Sequence, residues 1–339
     1  MSPRSDPALV ATIHLRPYQH EAIARLDDAV ARGVRRVLLV CATGGGKTSI
    51  AGSFIVRAVE RGQRVLFLAH RRELIVQAYR RLLDFGLSER DVGIIMGNDP
   101  RRRPGARVQV ASVDTLRRRA QPGADVVFWD EAHRSICPSQ RAIAAHHAGA
   151  LHIGLTATPF GPNGAGLGVA YDELHVVASP RLLMDQGFLV EPRVFTVPVA
   201  KRPNLKGVRI ARGDYTSADL EAAVDRQALI GNIVEHWRRY ADGVRTVVFA
   251  VSVAHSKHIV ERFVAAGVAA EHLDGETPTT ERDAILARLD RGDTRVVGSV
   301  GTLCEGWDQP SVKCAILARP TKSTGLYLQQ AGRILRPWN

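Results

Sequence analysis

Short apolar runs bounded by turn residues recur along this chain and alternate with stretches of helical composition. Val37–Val40, Val65–Ala69, Val108–Ala111, Val126–Trp129 and His152–Leu155 read as buried strands. Between them, Ser49–Glu60, Arg72–Leu83 and Ser139–His147 carry helix-forming composition. That alternation predicts a parallel sheet flanked by helices. A second set follows the same grammar, with strands at Thr246–Ala250, Ala269–Leu273, Arg295–Val300 and Cys314–Ala318, and helices at Ser256–Ala266, Thr279–Asp290 and Thr324–Leu335. The stretch 160–243 is less regular. Phe160–Gly168 is glycine-rich and reads as a loop, Pro180–Gly187 as a short helix closed by Gly187, and the alternation in Arg193–Val199 suits a strand. Lys201–Gly213, with five basic residues and two glycines, reads as an exposed loop. The expected division is a first domain over 1–180, a linker and entry to the second domain over 181–245, and a second domain over 246–339, with the junction near 180–195.

A chain of 339 residues has room for two domains with separate cores. The net charge of +12 suits a polyanion such as nucleic acid. An aromatic content of 6% argues against base stacking as the main binding device and favours phosphate contacts. The four cysteines, Cys41, Cys137, Cys304 and Cys314, are not spaced as C-x-x-C, so neither a zinc ribbon nor a disulfide framework is expected, and a reducing cytoplasm is the natural setting. There is no apolar run of about 18 residues to cross a membrane. Met1–Leu15 lacks the charged-then-apolar pattern of a secretory signal.

Candidate chemistry begins at Cys41-Ala42-Thr43-Gly44-Gly45-Gly46-Lys47-Thr48, set between the first strand and first helix of the alternation. Strand, glycine loop, Gly-Lys-Thr and helix make a phosphate loop. Thr43, Gly44, Gly45 and Gly46 bring backbone N–H groups close to a triphosphate, and the helix N-terminus adds its partial positive charge. Lys47 reaches the β- and γ-phosphates and the Thr48 hydroxyl ligates Mg2+. The pattern departs at Cys41, where the general motif has Gly. Asp130-Glu131-Ala132-His133 then follows a predicted parallel strand, whose C-terminal end faces the ligand crevice. Asp130 is placed to hold Mg2+, and Glu131 to orient and deprotonate an attacking water. Near the C-terminus, Gln329, Arg333 and Arg336 follow i, i+4, i+7 spacing, which on a continuous helix puts them on one face. The two guanidiniums suit charge building on a γ-phosphoryl group.

With these motifs in this order, the chain resembles a superfamily 2 helicase over nearly its whole length. The resemblance implies two tandem RecA-like α/β domains, each a mainly parallel sheet flanked by helices, with ATP at their interface. Leu15-Arg16-Pro17-Tyr18-Gln19 resembles the Q motif, which implies that Gln19 reads the adenine edge. His70-Arg71-Arg72-Glu73-Leu74 resembles motif Ia and Ala111–Leu116 the next motif that contacts the nucleic-acid backbone. Thr156-Ala157-Thr158-Pro159 resembles motif III. Glu305-Gly306-Trp307-Asp308 resembles motif V, which puts Asp308 at the nucleotide. Gln329–Arg336 resembles motif VI. Arg71, Arg72, Ser112, Thr115 and Thr302 are candidate nucleic-acid contacts, each with a cap or turn role as its alternative. The basic runs Arg101–Arg103 and Arg117–Arg119 read as solvated faces. His146-His147 and the His133/Cys137 pair lack partners at zinc spacing.

The wording of Leu68–Leu74, His272–Thr277 and Ala318–Thr321 is closest to bacterial and phage DNA-repair helicases of the RadD type, with similar wording in restriction-enzyme motor subunits and XPB-like translocases. DNA is therefore favoured over RNA as partner. An RNA helicase, a restriction-type motor subunit and an ATP-gated clamp that grips without unwinding remain the alternatives. The sequence ends at Pro337-Trp338-Asn339, directly after motif VI, where relatives continue with a further strand and the RadD type with a cysteine-rich segment. The expectation is a partial chain or a compact core, with a protein partner or a further C-terminal segment completing it.

Overall fold

The computed structural model describes residues 14–338 apart from 136, 162, 163, 212 and 305, and leaves the side chain of residue 200 aside. Glu305, named above in motif V, and most of the N-terminal stretch therefore lie outside the described residues. The chain forms two compact units: one runs to Gly161 and includes Ala165–Ser179, and the other is built mainly from Pro180 onward.

In the first unit the elements run α1 (Pro17–Ala31), β1 (Arg36–Cys41), α2 (Lys47–Glu60), β2 (Val65–Ala69), α3 (Arg72–Asp84), β3 (Val92–Ile95), β4 (Val108–Ser112), α4 (Val113–Leu116), β5 (Val126–Asp130), α5 (Pro138–His146), β6 (Leu151–Thr156) and β7 (Glu173–Ala178). Among the described residues the strands form one sheet in the order β3-β4-β2-β5-β6-β1-β7, with every neighbouring pair parallel. The apolar runs are continuous because both faces of the sheet are covered. Val37, Leu39, Phe67 and Phe128 join a core with α1, α2 and α3 on one face. Leu38, Val40, Leu66, Leu68 and Trp129 join a second core with Ile143 and Tyr171 on the other. The two-residue period of a strand divides each run between these cores.

The second unit contains α6 (Pro180–Asp185), a short antiparallel pair β8 (Ile210–Ala211) and β9 (Asp214–Tyr215), α7 (Ser217–Val224), α8 (Gln227–Ala241), β10 (Thr246–Phe249), α9 (Val253–Ala265), β11 (Ala270–Leu273), α10 (Thr279–Arg291), β12 (Val296–Ser299), β13 (Cys314–Leu317) and α11 (Thr324–Ala331). Its main sheet has the order β11-β12-β10-β13, again all parallel. One core carries Val247, Phe249, Ile285 and Trp307, and another carries Val248, Trp237, Ile259 and Phe263.

Three expectations are corrected. Arg193–Val199 forms no strand; Val194 and Phe195 are both exposed, and the segment is stapled to α8 by Phe195 stacking on Tyr240 at 4.3 Å. Pro192 immediately before it and Pro198 within it lack N–H donors. The stretch before β10 is more regular than its composition suggests. In α8, Ile230, Val234 and Trp237 repeat at i, i+4, i+7 and are buried, with Trp237 Nε1 donating to Thr246 Oγ1 at 2.7 Å. The third correction bears on the site: the helix expected to reach Leu335 ends at Ala331, and Gly332–Ile334 tightens into a 3-10 turn.

Candidate nucleotide site

The phosphate loop leaves the sheet at Cys41, the last residue of β1, which lies between β6 and β7. Ala42 N donates to Ala178 O of β7 at 3.0 Å, and Gly45 N donates to Ala42 O at 2.9 Å. Gly44 and Gly46 take the left-handed region at φ 84° and 79°. Lys47 is then the first residue of α2 and Thr48 the second. Cys41 lies outside the left-handed region, so a side chain is tolerated where the general motif has glycine. The thiol faces the interior, and burial pushes its pKa up to about 11 while Lys47 and Arg16 pull the other way.

The start of α1 is latched onto this loop. Tyr18 OH and Gln19 Nε2 both donate to Gly45 O, at 2.9 and 3.0 Å, and Gln19 Oε1 accepts from Arg16 N at 2.9 Å. A trans peptide opposes its carbonyl and N–H, so turning Gly45 O toward α1 turns Gly46 N–H away from it. Gln19 is 3% exposed and holds the loop; an adenine edge would meet only its remaining amide hydrogen and lone pair. A Cβ on Gly46 would lie 2.3 Å from Gln19 Nε2, on a backbone that L side chains rarely adopt. Gly46→Ala is therefore expected to lower stability by roughly 1–3 kcal/mol, read as a drop in denaturation midpoint. An unchanged midpoint would show that the α1 latch yields freely.

β6 lies between β1 and β5, with Val40 opposite Thr156 and Asp130 opposite Leu155. The carboxyl ends of β1 and β5 are thus two strand spacings apart, roughly 10 Å, a span suited to a phosphate chain with its metal. Glu131 is buried and sits at φ 52°, ψ 52°, the one non-glycine residue with positive φ among the described residues. Its N–H donates to Asp130 Oδ1 at 3.1 Å. Such a conformation costs energy and persists where the surroundings over-determine it.

A polar chain runs from there into β6. His133 Nδ1 lies 3.4 Å from Glu131 Oε2 and 3.4 Å from Thr156 Oγ1. Thr156 is fully buried, donates its hydroxyl to Thr158 O at 2.8 Å and accepts from Thr158 N at 3.1 Å. With that single O–H committed, the Nδ1–Oγ1 contact requires a proton on His133 Nδ1; Glu131 Oε2 lies near the same nitrogen without a hydrogen bond to it. The second and third motifs are therefore physically joined. Their spelling was visible in the sequence, but the link exists only because β5 and β6 are neighbours. Among the described residues no three His, Cys, Asp or Glu groups cluster to hold a metal. Mg2+ needs no such cage, since it is bound by one or two carboxylates with phosphate oxygens and water, and Thr48 with Asp130 fits that donor set.

The second unit holds its candidate residues in contacts of their own. Arg333 lies in the 3-10 turn and Arg336 beyond it, so the shared face of one α-helix is not formed. Arg333 Nε and NH2 donate to Cys304 O at 3.0 and 2.6 Å, and NH1 donates to Trp307 O. Arg336 pairs with Asp308 at 2.6 Å, engaging the carboxylate assigned to the nucleotide. Gln329 is buried on α11. Motifs V and VI are thus one hydrogen-bonded body.

Of the candidate nucleic-acid residues, Arg71 and Arg72 open α3 just past the carboxyl end of β2. Ser112 caps α4 by accepting from Thr115 N, Thr115 Oγ1 accepts from Gly97 N at 3.1 Å, and Thr302 Oγ1 meets Ser299 Oγ at 2.7 Å. The three hydroxyls have the cap and turn roles their residue types allow. Ser112 and Arg71 nevertheless share the sheet edge that carries Asp130.

Comparison with known proteins agrees with this architecture. A family model described as "Type III restriction enzyme, res subunit" matches residues 12–161, and one described as "Helicase conserved C-terminal domain" matches residues 226–337. The chain is 29% identical over 293 residues to a 51.5 kDa protein of a Lactococcus phage, covering 86% of this chain and 61% of the phage protein. It is 29% identical over 342 residues to the putative ATP-dependent helicase IRC3 of Saccharomyces cerevisiae, covering 95% of this chain and 49% of that protein. A fragment of a putative HsdR subunit of a type I restriction enzyme from Vibrio vulnificus superposes with a TM-score of 0.68 at 21% identity, over 97% of this chain and 63% of that one. The two family matches together place the chain among the superfamily 2 helicases. It spans about half to three-fifths of the length of the two sequence relatives.

Proposed function

We propose that this chain is the motor core of an ATP-dependent DNA helicase or translocase acting in repair or recombination. The observation that carries the reading is the convergence of the phosphate loop and the Asp130–Glu131 pair at nearby carboxyl ends of one parallel sheet. Lys47 and the loop N–H groups bind the triphosphate, and Thr48 with Asp130 would hold Mg2+. Bound there, the metal neutralises charge on the β- and γ-phosphates. Glu131 takes the proton of the attacking water, and the His133–Thr156 chain keeps that carboxylate aimed. Arg333 and Arg336 act on the nucleotide once released from Cys304, Trp307 and Asp308, so that hydrolysis is tied to rearrangement of the second unit. Support for DNA comes from the restriction-enzyme relatives and the net charge of +12. The four free thiols suit a reducing compartment such as the cytoplasm. No helix among the described residues is long and apolar enough to cross a membrane.

The test is the ATPase rate alone and with single-stranded DNA, duplex DNA and single-stranded RNA. DNA is expected to stimulate turnover most. Stimulation by RNA only would replace the DNA reading, because the 2′-hydroxyl is what separates the two polymers.

A further inference from the structure

At the end of the first sheet opposite the phosphate loop, the amino ends of β2, β5, β6 and β1 open onto a depression of about 710 Å³. Arg64 precedes β2, Asp125 precedes β5 and Arg35 precedes β1; Arg61 follows α2, and His146 and His147 close α5. Three guanidiniums thus face one carboxylate. That carboxylate is already engaged, accepting Arg64 N–H at 2.7 Å and lying 3.9 Å from Arg64 Nε. Arg35 and Arg61 make no ion pair among the described residues. A Cβ on Gly123 would lie 2.6 Å from Arg64 NH1, so glycine there lets the guanidinium lie flat against the backbone.

His147 supplies an independent observation. It is 6% exposed and lines the depression, and its Nε2 has no hydrogen-bond partner. The residue is fixed in place. Its ring packs edge-on against His146 at 4.9 Å, and its carbonyl accepts from His152 Nε2 at 2.9 Å. His152 Nδ1 in turn accepts from Trp129 Nε1 at 3.0 Å, which sets the tautomer that makes Nε2 the donor. Burial and the neighbouring imidazoles push the His147 pKa down to about 4, so the ring is neutral at pH 7 and its Nε2 can present an N–H without charge in the Nε2–H tautomer. A buried polar atom lacking a partner is destabilising, and an acceptor in the depression would relieve that.

We propose that this depression is a second phosphate-binding site, distinct from the nucleotide site, with Arg35 and Arg61 as charged clamps and His147 Nε2–H as a buried donor. Guanidinium forks match phosphate oxygens in pairs. The phosphate group has two possible sources, a free phosphate or nucleotide and the backbone diester of a nucleic acid.

The test is histidine-ring NMR on the full chain, with His146→Asn and His147→Asn used for assignment. Titration with inorganic phosphate is expected to move the His147 signal saturably. Chloride at matched ionic strength should not move it, and Lys47→Ala should not alter the response. In Arg35→Glu/Arg61→Glu the movement should be lost. A short oligo-dT moving the same signal at lower concentration than phosphate would identify the nucleic-acid backbone as the source, whereas movement by phosphate alone would identify a small ligand. A His147 signal that neither probe moves, or that chloride moves equally, overturns the proposal. So does movement that survives in the folded double charge reversal.

Discussion

Lys47→Ala is expected to lose ATP turnover, by at least about 100-fold to 1,000-fold, the cost typical of deleting one preorganised electrostatic contact to a transition state. The structure makes this a clean experiment. Lys47 is the first residue of α2, a position where alanine is the better helix former, and no ion pair or side-chain hydrogen bond of Lys47 holds the fold among the described residues. The loop conformation is set elsewhere, by the left-handed glycines 44 and 46 and by the bonds from Tyr18 and Gln19 to Gly45 O. The denaturation midpoint should therefore stay within the ±0.5 kcal/mol usual for a substitution away from core and caps. Steady-state ATPase assays with and without DNA check the expectation, beside a thermal melt to show the fold intact. Normal turnover in a folded Lys47→Ala would sink the phosphate-loop reading, because no other cation of the first unit follows β1 at the loop.

Much of the fold was legible because parallel strands covered on both faces read as near-continuous apolar runs. Val37–Val40 and Val65–Ala69 announce themselves without any partner being known. β7 escaped because it is an edge strand. Its residues alternate between half-buried and exposed, with Leu174 and Val176 open, so it lacks the continuous apolar run that marks the central strands. The edge matters to the site, since Ala178 of β7 accepts the first bond of the phosphate loop.

The candidate site was legible as residue types and spacing but not as contacts. The i, i+4, i+7 spacing of Gln329, Arg333 and Arg336 presumes that the helix continues, and the chain ends it at Ala331. Among the described residues Arg333 donates to the backbone carbonyls of Cys304 and Trp307, and carbonyl direction leaves no trace in composition. Gln19 shows the same limit. Its place next to the loop follows from the motif, while its grip on Gly45 O depends on a peptide orientation that only the three-dimensional fold supplies.

Glu131→Gln separates binding from chemistry. Glutamine keeps the size of the side chain, and the contacts from His133 through Thr156 to Thr158 do not depend on its charge. The left-handed backbone at φ 52° penalises both residues alike, so the substitution adds no new strain. What disappears is the group that takes a proton, and turnover should fall by roughly 10²–10⁴. ATP binding should persist, since Lys47, Thr48 and Asp130 are untouched, and the variant should accumulate as a nucleic-acid complex in the presence of ATP. The measurement pairs equilibrium binding of a fluorescent ATP analogue with single-turnover hydrolysis. Normal hydrolysis removes Glu131 from the role of base. Lost binding would assign its carboxylate to holding the nucleotide or its metal. Retained binding with lost hydrolysis would tie the buried, strained position of Glu131 to the proton transfer itself.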